Sequence, residues 1–301
     1  MSAPKPAAGP KKSTSVRKPR LASLRLAFRV LGATAPPLAM RLAARLFSTP
    51  PRHKTSELEW LALARATSER VECDGASIAT WSWGEGPRVL LVHGWGSRGA
   101  RLHSFVEPLV AAGHSVVAFD APGHGSSSGA VSSLPQFARA IMAVAQAAGG
   151  VEAVVAHSMG APSTAFAMSR GLAIERAVFV APAANPGAFT ERFGQILAIP
   201  PHVLSAMKRR FEKQFDLRWE ELDLPRLAPA MRTPLLVLHD RDDAEIPWSG
   251  GAEIARTWPG AELVTTAGLG HTRIVHDPEV VARAVAFVTA EQKVALGPSR
   301  T

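Results

Sequence analysis

Cysteine is scarce in this sequence and tyrosine is absent: the 301 residues include one cysteine, Cys73, and no tyrosine. A single cysteine excludes a disulfide scaffold and a cysteine-rich metal site, and it is typical of a reducing compartment. The histidines and carboxylates show no metal-ligand spacing and no cofactor motif occurs, so we expect neither a metal nor a cofactor. No uncharged apolar run approaches the roughly 18 residues that a membrane-spanning helix requires. We therefore expect a cytoplasmic globular protein.

Acidic residues are missing from the first 54 positions, which carry 12 of the 34 lysines and arginines. The other 22 basic residues stand against all 25 aspartates and glutamates, so this larger part has a net charge of −3 although the whole chain has +9. The basic character thus belongs to the N-terminal segment. Because the remainder is close to neutral, we expect no nucleic-acid partner.

The N-terminal region divides into a tail and an arm. Residues 1–20 are rich in proline, alanine, serine and lysine, which predicts a disordered basic tail, and they lack the features of a secretory signal. Residues 21–68 show helical periodicity that is interrupted at Pro36-Pro37. This pattern predicts an N-terminal helical arm.

The apolar residues of the arm allow two interpretations. Leu38, Leu42 and Leu46 recur every four residues, with arginines on another face. The amphipathic helix either packs on the rest of the protein or rests on an anionic membrane surface through residues 21–47. The second interpretation places the protein at the inner face of a membrane, and the periodicity leaves both open.

Strands and helices alternate regularly from residue 69 to residue 292. A hairpin turning at Asp74-Gly75 comes first. Apolar runs typical of strands buried on both faces follow at 88–94, 114–120, 152–158, 176–182, 234–240 and 261–268. Helical segments separate these runs, which predicts an α/β fold with a doubly wound, mostly parallel sheet. Residues 293–301 are expected to form a C-terminal tail.

One connection is too long for a simple crossover. About 50 residues separate the fourth and fifth of these runs, and their helical periodicity predicts a helical cap inserted at about 184–231. Five apolar cap residues either line an apolar substrate pocket or seat the cap on the core: Phe189, Phe193, Ile196, Leu197 and Ile199.

Three kinds of reactive side chain stand where predicted strands end. Ser158 ends one strand, Asp242 and Asp243 follow another, and His271 follows a third. Because the carboxyl ends of parallel strands meet at one edge of a sheet, we expect these residues to lie together. A serine hydroxyl needs a base to take its proton, and histidine oriented by a buried carboxylate supplies one near neutral pH. The pattern predicts a catalytic triad.

Backbone N–H groups could stabilise the oxyanion that such a triad generates. Met159 follows the serine directly, and the sequence "HGWG" places Trp95 in the loop after the first parallel strand. The flanking glycines allow the backbone to approach a substrate closely. We therefore expect the Trp95 and Met159 N–H groups to form an oxyanion hole.

Four motifs together resemble those of the α/β-hydrolase superfamily: "LLVHGWGSRG", "FDAPGHGSS", "AHSMGA" and "GLGHT". The resemblance covers about residues 71–289 and implies the α/β-hydrolase fold, with Ser158 at the nucleophile elbow and His271 as the base. The superfamily's acid motif usually reads Gly-x-x-Asp-x-x-x-Pro. Asp240 stands where the glycine is usual, which implies Asp243 as the acid and leaves Asp242 as its rival.

Other residues in the motifs have less direct roles. Ala156 replaces the first glycine of the elbow, and alanine is small enough for the close packing there. The resemblance implies that His93, His124 and His157 brace the backbone, whereas His276 is a weak rival base.

Three functions fit these observations. The first is a serine hydrolase that cleaves a carboxylic ester, thioester or amide of a small acyl substrate through an acyl-enzyme. The second is an acyltransferase with the same triad, and the third is a non-catalytic scaffold with a basic arm that binds a membrane or partner. Haloalkane dehalogenases and epoxide hydrolases are excluded because they use an aspartate nucleophile, and the alanine-, arginine- and proline-rich composition is typical of bacteria.

Overall fold

The computed structural model describes residues 17–290. Most of the two predicted tails, residues 1–16 and 293–301, therefore lies outside the described residues. The prediction of a disordered tail is wrong for residues 17–20, because the first helix begins at Arg17.

Within the described residues, eight strands form one sheet. Their bounds are β1 (Thr67–Cys73), β2 (Ala76–Trp83), β3 (Arg88–Val92), β4 (Ser115–Phe119), β5 (Ala153–His157), β6 (Arg176–Val180), β7 (Leu235–Asp240) and β8 (Glu262–Thr266). The spatial order is β1-β2-β4-β3-β5-β6-β7-β8. β1, β2 and β4 pair antiparallel, and every other pair is parallel. The predicted mostly parallel sheet is confirmed.

The helices precede, flank or cap this sheet. Their bounds are α1 (Arg17–Thr34), α2 (Pro36–Ser48), α3 (Glu57–Leu63), α4 (Val106–Ala111), α5 (Leu134–Ala147), α6 (Gly160–Ser169), α7 (Pro186–Leu197), α8 (Pro201–Phe215), α9 (Leu224–Leu227), α10 (Trp248–Thr257), α11 (Gly270–Arg273) and α12 (Pro278–Thr289). A 3₁₀ segment at Gly99–Phe105 leads into α4. No helix of the described part of the chain is long and apolar enough to cross a membrane.

Alternating residues of the central strands supply two separate cores. In β3, Leu90 and Val92 belong to the core on one face, and Val89 and Leu91 to the core on the other. Helices α5, α6 and α10 cover the first face, and α4 and α12 cover the second. Burial of both faces explains the continuous apolar runs of the sequence.

The turn between β1 and β2 has the predicted position. Cys73 pairs with Ala76, and Asp74 and Gly75 both have positive φ, 50° and 75°. A two-residue hairpin turn of type I′ requires positive φ at both positions, which Asp-Gly adopts at low cost. The Asp74-Gly75 hairpin is therefore confirmed.

The arm packs on the cap. Helices α7, α8 and α9 lie between β6 and β7 in the chain, and α1 and α2 contact α7 and α8. The eight buried residues of this contact, called here the arm–cap cluster, are Phe28, Ala39, Ala43, Leu197, Ile199, Val203, Leu204 and Met207. The inner face of the arm is thus an internal packing surface.

The buried face of α2 differs from the predicted leucine stripe. Ala39 and Ala43 are fully buried, whereas Leu42 and Leu46 are half-buried and Leu38 is exposed. Alanines at the contact allow α2 and α8 to approach closely, and the larger leucines lie at its margin. Side-chain size, which the apolar spacing does not report, decides which face turns inward.

Candidate active site

Ser158 lies on a sharp turn between β5 and α6. Its φ is +54°, a left-handed conformation that is uncommon for a residue with a side chain. Its N–H donates to the Val180 carbonyl at 3.0 Å, and its own carbonyl accepts from the Ala183 N–H at 3.2 Å. These bonds to the end of β6 hold the turn, and such a turn presents a hydroxyl above the edge of the sheet.

Close packing around this turn explains one glycine of the motif. A Cβ atom at Gly160 would lie 2.6 Å from the Val92 carbonyl oxygen, so only glycine fits there. Ala156 is fully buried in β5, and its methyl group is accommodated at the position where the motif usually has glycine.

Ser158, His271 and Asp243 form one continuous chain of hydrogen bonds. His271 Nε2 lies 3.1 Å from Ser158 Oγ, and His271 Nδ1 lies 2.7 Å from Asp243 Oδ2. A carboxylate only accepts hydrogen bonds, so Nδ1 carries the proton and Nε2 is free to accept from the serine. This arrangement can take a proton from the serine hydroxyl.

Asp243 is held ionised by its surroundings. Its Oδ1 accepts from the N–H groups of Glu245 and Ile246, each at 2.8 Å. Burial raises the pKa of Asp243, but hydrogen bonds from His239, His271 and Ile246 outweigh it and hold the pKa well below its usual range. An ionised Asp243 can stabilise an imidazolium at His271.

Asp242 is directed elsewhere. Its carboxylate accepts from the Gly268 N–H at 2.8 Å, and it makes no hydrogen bond to His271 among the described residues. The sequence predicts Asp243 as the acid with Asp242 as its rival, and the structure joins Asp243 to the histidine.

The N–H groups of Trp95 and Met159 flank the serine. Trp95 follows Gly94, where an added Cβ would lie 2.8 Å from Ser158 Cβ, and Met159 is the next residue along the chain. Neither N–H donates a hydrogen bond within residues 17–290. Neither N–H group is therefore committed to another acceptor, which a donor of an oxyanion hole requires.

The sequence around these residues matches a known protein family. A model of the alpha/beta hydrolase family matches residues 89–284 of the chain. The chain belongs to the alpha/beta hydrolase family. The match covers the strands and loops that carry the triad residues Ser158, Asp243 and His271, together with Trp95 and Met159.

Solved structures share the fold of this alpha/beta hydrolase at low sequence identity. An esterase from Exiguobacterium antarcticum has a TM-score of 0.59 and 16% identity, with 74% of this chain and 100% of that chain covered. Ferulic-acid-bound Est1E from Butyrivibrio proteoclasticus gives 0.58 and 19%, over 73% and 96%. A bromoperoxidase from Bacillus anthracis gives 0.58 and 18%, over 74% and 100%. No curated protein matches the sequence.

Two buried histidines of the alpha/beta hydrolase brace the loop that contains Trp95. His124 Nε2 accepts from the Gly96 N–H, and His93 Nε2 accepts from the Ala121 N–H, each at 3.0 Å. Burial lowers the pKa of His93 to about 4 and of His124 to about 3, so both rings are neutral and can accept. Their predicted bracing role is confirmed.

His157 braces the histidine loop. Its Nε2 lies 3.0 Å from the His271 carbonyl oxygen and its ring centroid lies 4.7 Å from that of His271. Burial lowers its pKa to about 3. His276, the rival base, instead bonds to Ser104 Oγ at 2.8 Å and stacks on His103. His271 is thus the histidine that reaches the serine.

Three supporting residues were not assigned a role from the sequence. Asp240 accepts from the Leu269 N–H at 3.0 Å and from Thr266 Oγ1 at 2.7 Å, and so holds the loop before His271. In the acid motif Asp240 replaces the usual glycine, which marks the position as unusual but does not indicate its partners. His239 Nε2 lies 3.5 Å from Asp243 Oδ2, and Asp120 accepts from the Gly99 N–H at 2.8 Å.

The segment after α2 also borders the site, which no sequence motif indicates. An added Cβ at Gly96 would lie 2.7 Å from Pro51 Cγ, and the Ser132 N–H donates to the Ser48 carbonyl at 2.7 Å. Arg98 donates to Thr55 Oγ1. The arm therefore contacts the loop of Trp95 as well as the cap.

The five apolar cap residues face the arm or solvent. Leu197 and Ile199 are buried in the arm–cap cluster, and Phe193 packs on Phe47 with ring centroids 5.2 Å apart. Phe189 and Ile196 are exposed. Of the two predicted roles, packing is confirmed for Leu197, Ile199 and Phe193, although their partner is the arm and not the core of the sheet.

Proposed function

We propose that this member of the alpha/beta hydrolase family is a serine hydrolase that cleaves carboxylic esters through an acyl-enzyme. The observation that carries the proposal is the unbroken chain of hydrogen bonds from Ser158 through His271 to an ionised Asp243. An esterase is among the structural neighbours, and at 16% identity it shares the fold of this chain.

In the first half-reaction, Ser158 Oγ attacks the ester carbonyl carbon while its proton moves to His271 Nε2. The carbonyl electron pair moves onto the oxygen, which the Trp95 and Met159 N–H groups stabilise. The intermediate then collapses, the bond to the leaving alkoxide breaks, and His271 returns its proton to that alkoxide. Asp243 stays ionised throughout and stabilises the transient imidazolium.

In the second half-reaction, water replaces the alcohol. His271 takes a proton from the water as the water oxygen attacks the acyl carbon. The bond from that carbon to Ser158 Oγ then breaks, His271 returns its proton to Oγ, and the acid leaves. Ser158 is only 9% exposed. A largely buried serine favours a small or medium acyl ester over a polypeptide, which would need an open cleft.

Covalent labelling tests the proposal directly. A fluorophosphonate probe should attach to Ser158 Oγ, located by mass spectrometry, and Ser158→Ala should abolish both the adduct and ester turnover. We expect a loss on the order of 10⁶-fold in kcat, as for other triads. Ser163, a buried serine on α6 that donates to the Met159 carbonyl, provides the matched control.

The control variant Ser163→Ala should retain labelling and turnover. An unlabelled, well-folded native protein, or a Ser158→Ala variant that keeps more than a few per cent of its activity, contradicts the proposal. Adduct formation with turnover only in the presence of an alcohol or amine acceptor would identify an acyltransferase instead.

A further inference from the structure

The outer face of α1 combines cationic and large apolar side chains. Arg25 and Arg29 are exposed, and they alternate with Leu26 and Val30, which are 59% and 50% exposed. The members of each pair are four residues apart, so Leu26 and Val30 lie opposite buried Phe28 and Arg25 and Arg29 form the adjoining row. Leu26 and Val30 place an exposed aliphatic pair beside the two arginines, so the face is suited to a partner with apolar character.

The charge of this surface continues onto α2. Arg41 and Arg45 are exposed there, beside exposed Leu38. The first 54 residues contain no acidic side chain, and no ion pair within the described part of the chain neutralises Arg29, Arg41 or Arg45. The partner must therefore supply negative charge. We call this surface the outer arm face: Arg25, Leu26, Arg29, Val30, Leu38, Arg41 and Arg45.

We propose that the outer arm face rests on the surface of an anionic phospholipid bilayer. A helix lying in the bilayer surface inserts aliphatic side chains between lipid headgroups while arginine guanidinium groups reach the phosphates. Interleaved arginine and aliphatic residues meet both requirements on one face. A nucleic acid would need the cations but leave Leu26 and Val30 in water.

The bound orientation brings the cap to the bilayer. The inner faces of α1 and α2 are buried against α7 and α8, so the arm cannot dock independently of the cap without opening the arm–cap cluster. Arg25 Nε also donates to the carbonyl of exposed Ile196 at 2.8 Å, which places the end of α7 beside the outer arm face. The membrane therefore contacts the arm and the adjoining part of the cap.

Vesicle flotation of the full chain tests this proposal without reference to catalysis. The protein should bind vesicles of phosphatidylcholine with about 30% phosphatidylglycerol, and should bind pure phosphatidylcholine weakly. Salt at about 0.5 M should weaken the binding. Arg29→Gln/Arg41→Gln/Arg45→Gln should lower the partition coefficient about a hundredfold, and Leu26→Ser/Val30→Ser should lower it at least about tenfold.

Helix α3 supplies a matched control. Leu58 and Leu61 are 62% and 55% exposed, fractions similar to those of Leu26 and Val30. They differ in lying beside the acidic residue Glu57. Leu58→Ser/Leu61→Ser should bind the vesicles like the native chain. An equal loss in this control, or no native binding to phosphatidylglycerol vesicles, overturns the proposal. Full binding by Leu26→Ser/Val30→Ser overturns it too, since the arm would then act only as a polycation that an acidic protein could bind.

Discussion

Two regions of the molecule bury apolar side chains in different ways. The sheet with its flanking helices is called here the sheet domain, and the helices of the arm and the cap are called the arm–cap unit. In the sheet domain, both faces of a parallel sheet are buried and the reactive side chains project from strand ends. In the arm–cap unit, a single cluster of eight buried residues joins two helical pairs, and the opposite side of the arm is basic and exposed. A triad needs positions fixed to a fraction of an ångström, which a sheet buried on both faces supplies.

The positions of side chains are fixed by different features in the two regions. Ser158, Asp243 and His271 stand on three separate connections, and their meeting depends on the order of β5, β7 and β8 in the sheet. Helices α1 and α2 of the arm contact the cap through helix faces, with Ala39 and Ala43 in the buried contact. Substitutions in the sheet domain should therefore change chemistry or global folding, and substitutions in the arm should act locally.

Of the substitutions that test this comparison, the one at the acid of the triad should have the largest effect. Asp243→Asn should lower kcat about 10⁴-fold, because an amide no longer holds the His271 proton on Nδ1. Asp242→Asn, one residue away and with a carboxylate that accepts from the Gly268 N–H, should cost far less. Steady-state kinetics on one ester, with circular dichroism as the check of folding, measures both.

A reversed ranking of the two variants would contradict the pairing of Asp243 with His271. Equal, small losses would show that the sheet domain tolerates rearrangement of its acid, which would remove the distinction drawn between the two regions.

The sequence predicts the sheet domain better than the arm for a physical reason. Buried parallel strands produce continuous apolar runs, and their ends lie at one edge, so the positions of Ser158 and His271 follow from pattern alone. A helix with an apolar face reveals that it packs but not on what, so contact of α1 and α2 with the cap could not be predicted. The support that Asp240 gives the histidine loop depends on a side-chain contact across β7 and β8, which no local pattern encodes.

The second effect concerns packing in the two regions. Phe28 and Phe137 are both fully buried, the first in the arm–cap cluster and the second in a core of the sheet domain. Phe137→Ala should lower the global free energy of unfolding by about 3–5 kcal/mol, measured by urea denaturation. Phe28→Ala should remove a similar amount locally, so that α1 and α2 exchange their amide hydrogens faster while the global midpoint changes little.

Hydrogen exchange read by mass spectrometry separates the two cases for each variant. Faster exchange spread evenly over β3, β5 and the arm in Phe28→Ala would mean that arm and sheet unfold as one cooperative unit, and the comparison would then fail.

The smallest effect is a difference in response to acid. Burial lowers the pKa values of His93, His124 and His157 to between about 3 and 4, whereas in the unfolded chain they lie near 6.5. Between these values the unfolded chain binds protons that the native sheet domain does not, so stability falls as pH falls from about 6.5 toward 4. Each histidine contributes a slope of about 1.4 kcal/mol per pH unit.

The arm–cap cluster should not share this acid sensitivity, because all eight of its residues are apolar and none titrates. His124→Gln keeps an acceptor for the Gly96 N–H but has no titrating group. The variant should therefore take up one proton fewer on unfolding, which lowers the slope of the unfolding free energy against pH. Urea unfolding at several pH values between 7 and about 5 measures the slope, and His53→Gln, at an exposed position, is the control. An unchanged slope in His124→Gln would mean that acid acts on the protein through other groups. If instead the slope decreases in His124→Gln and acid does not speed the hydrogen exchange of α1 and α2, the pH dependence lies in the buried histidines that hold the Trp95 and His271 loops.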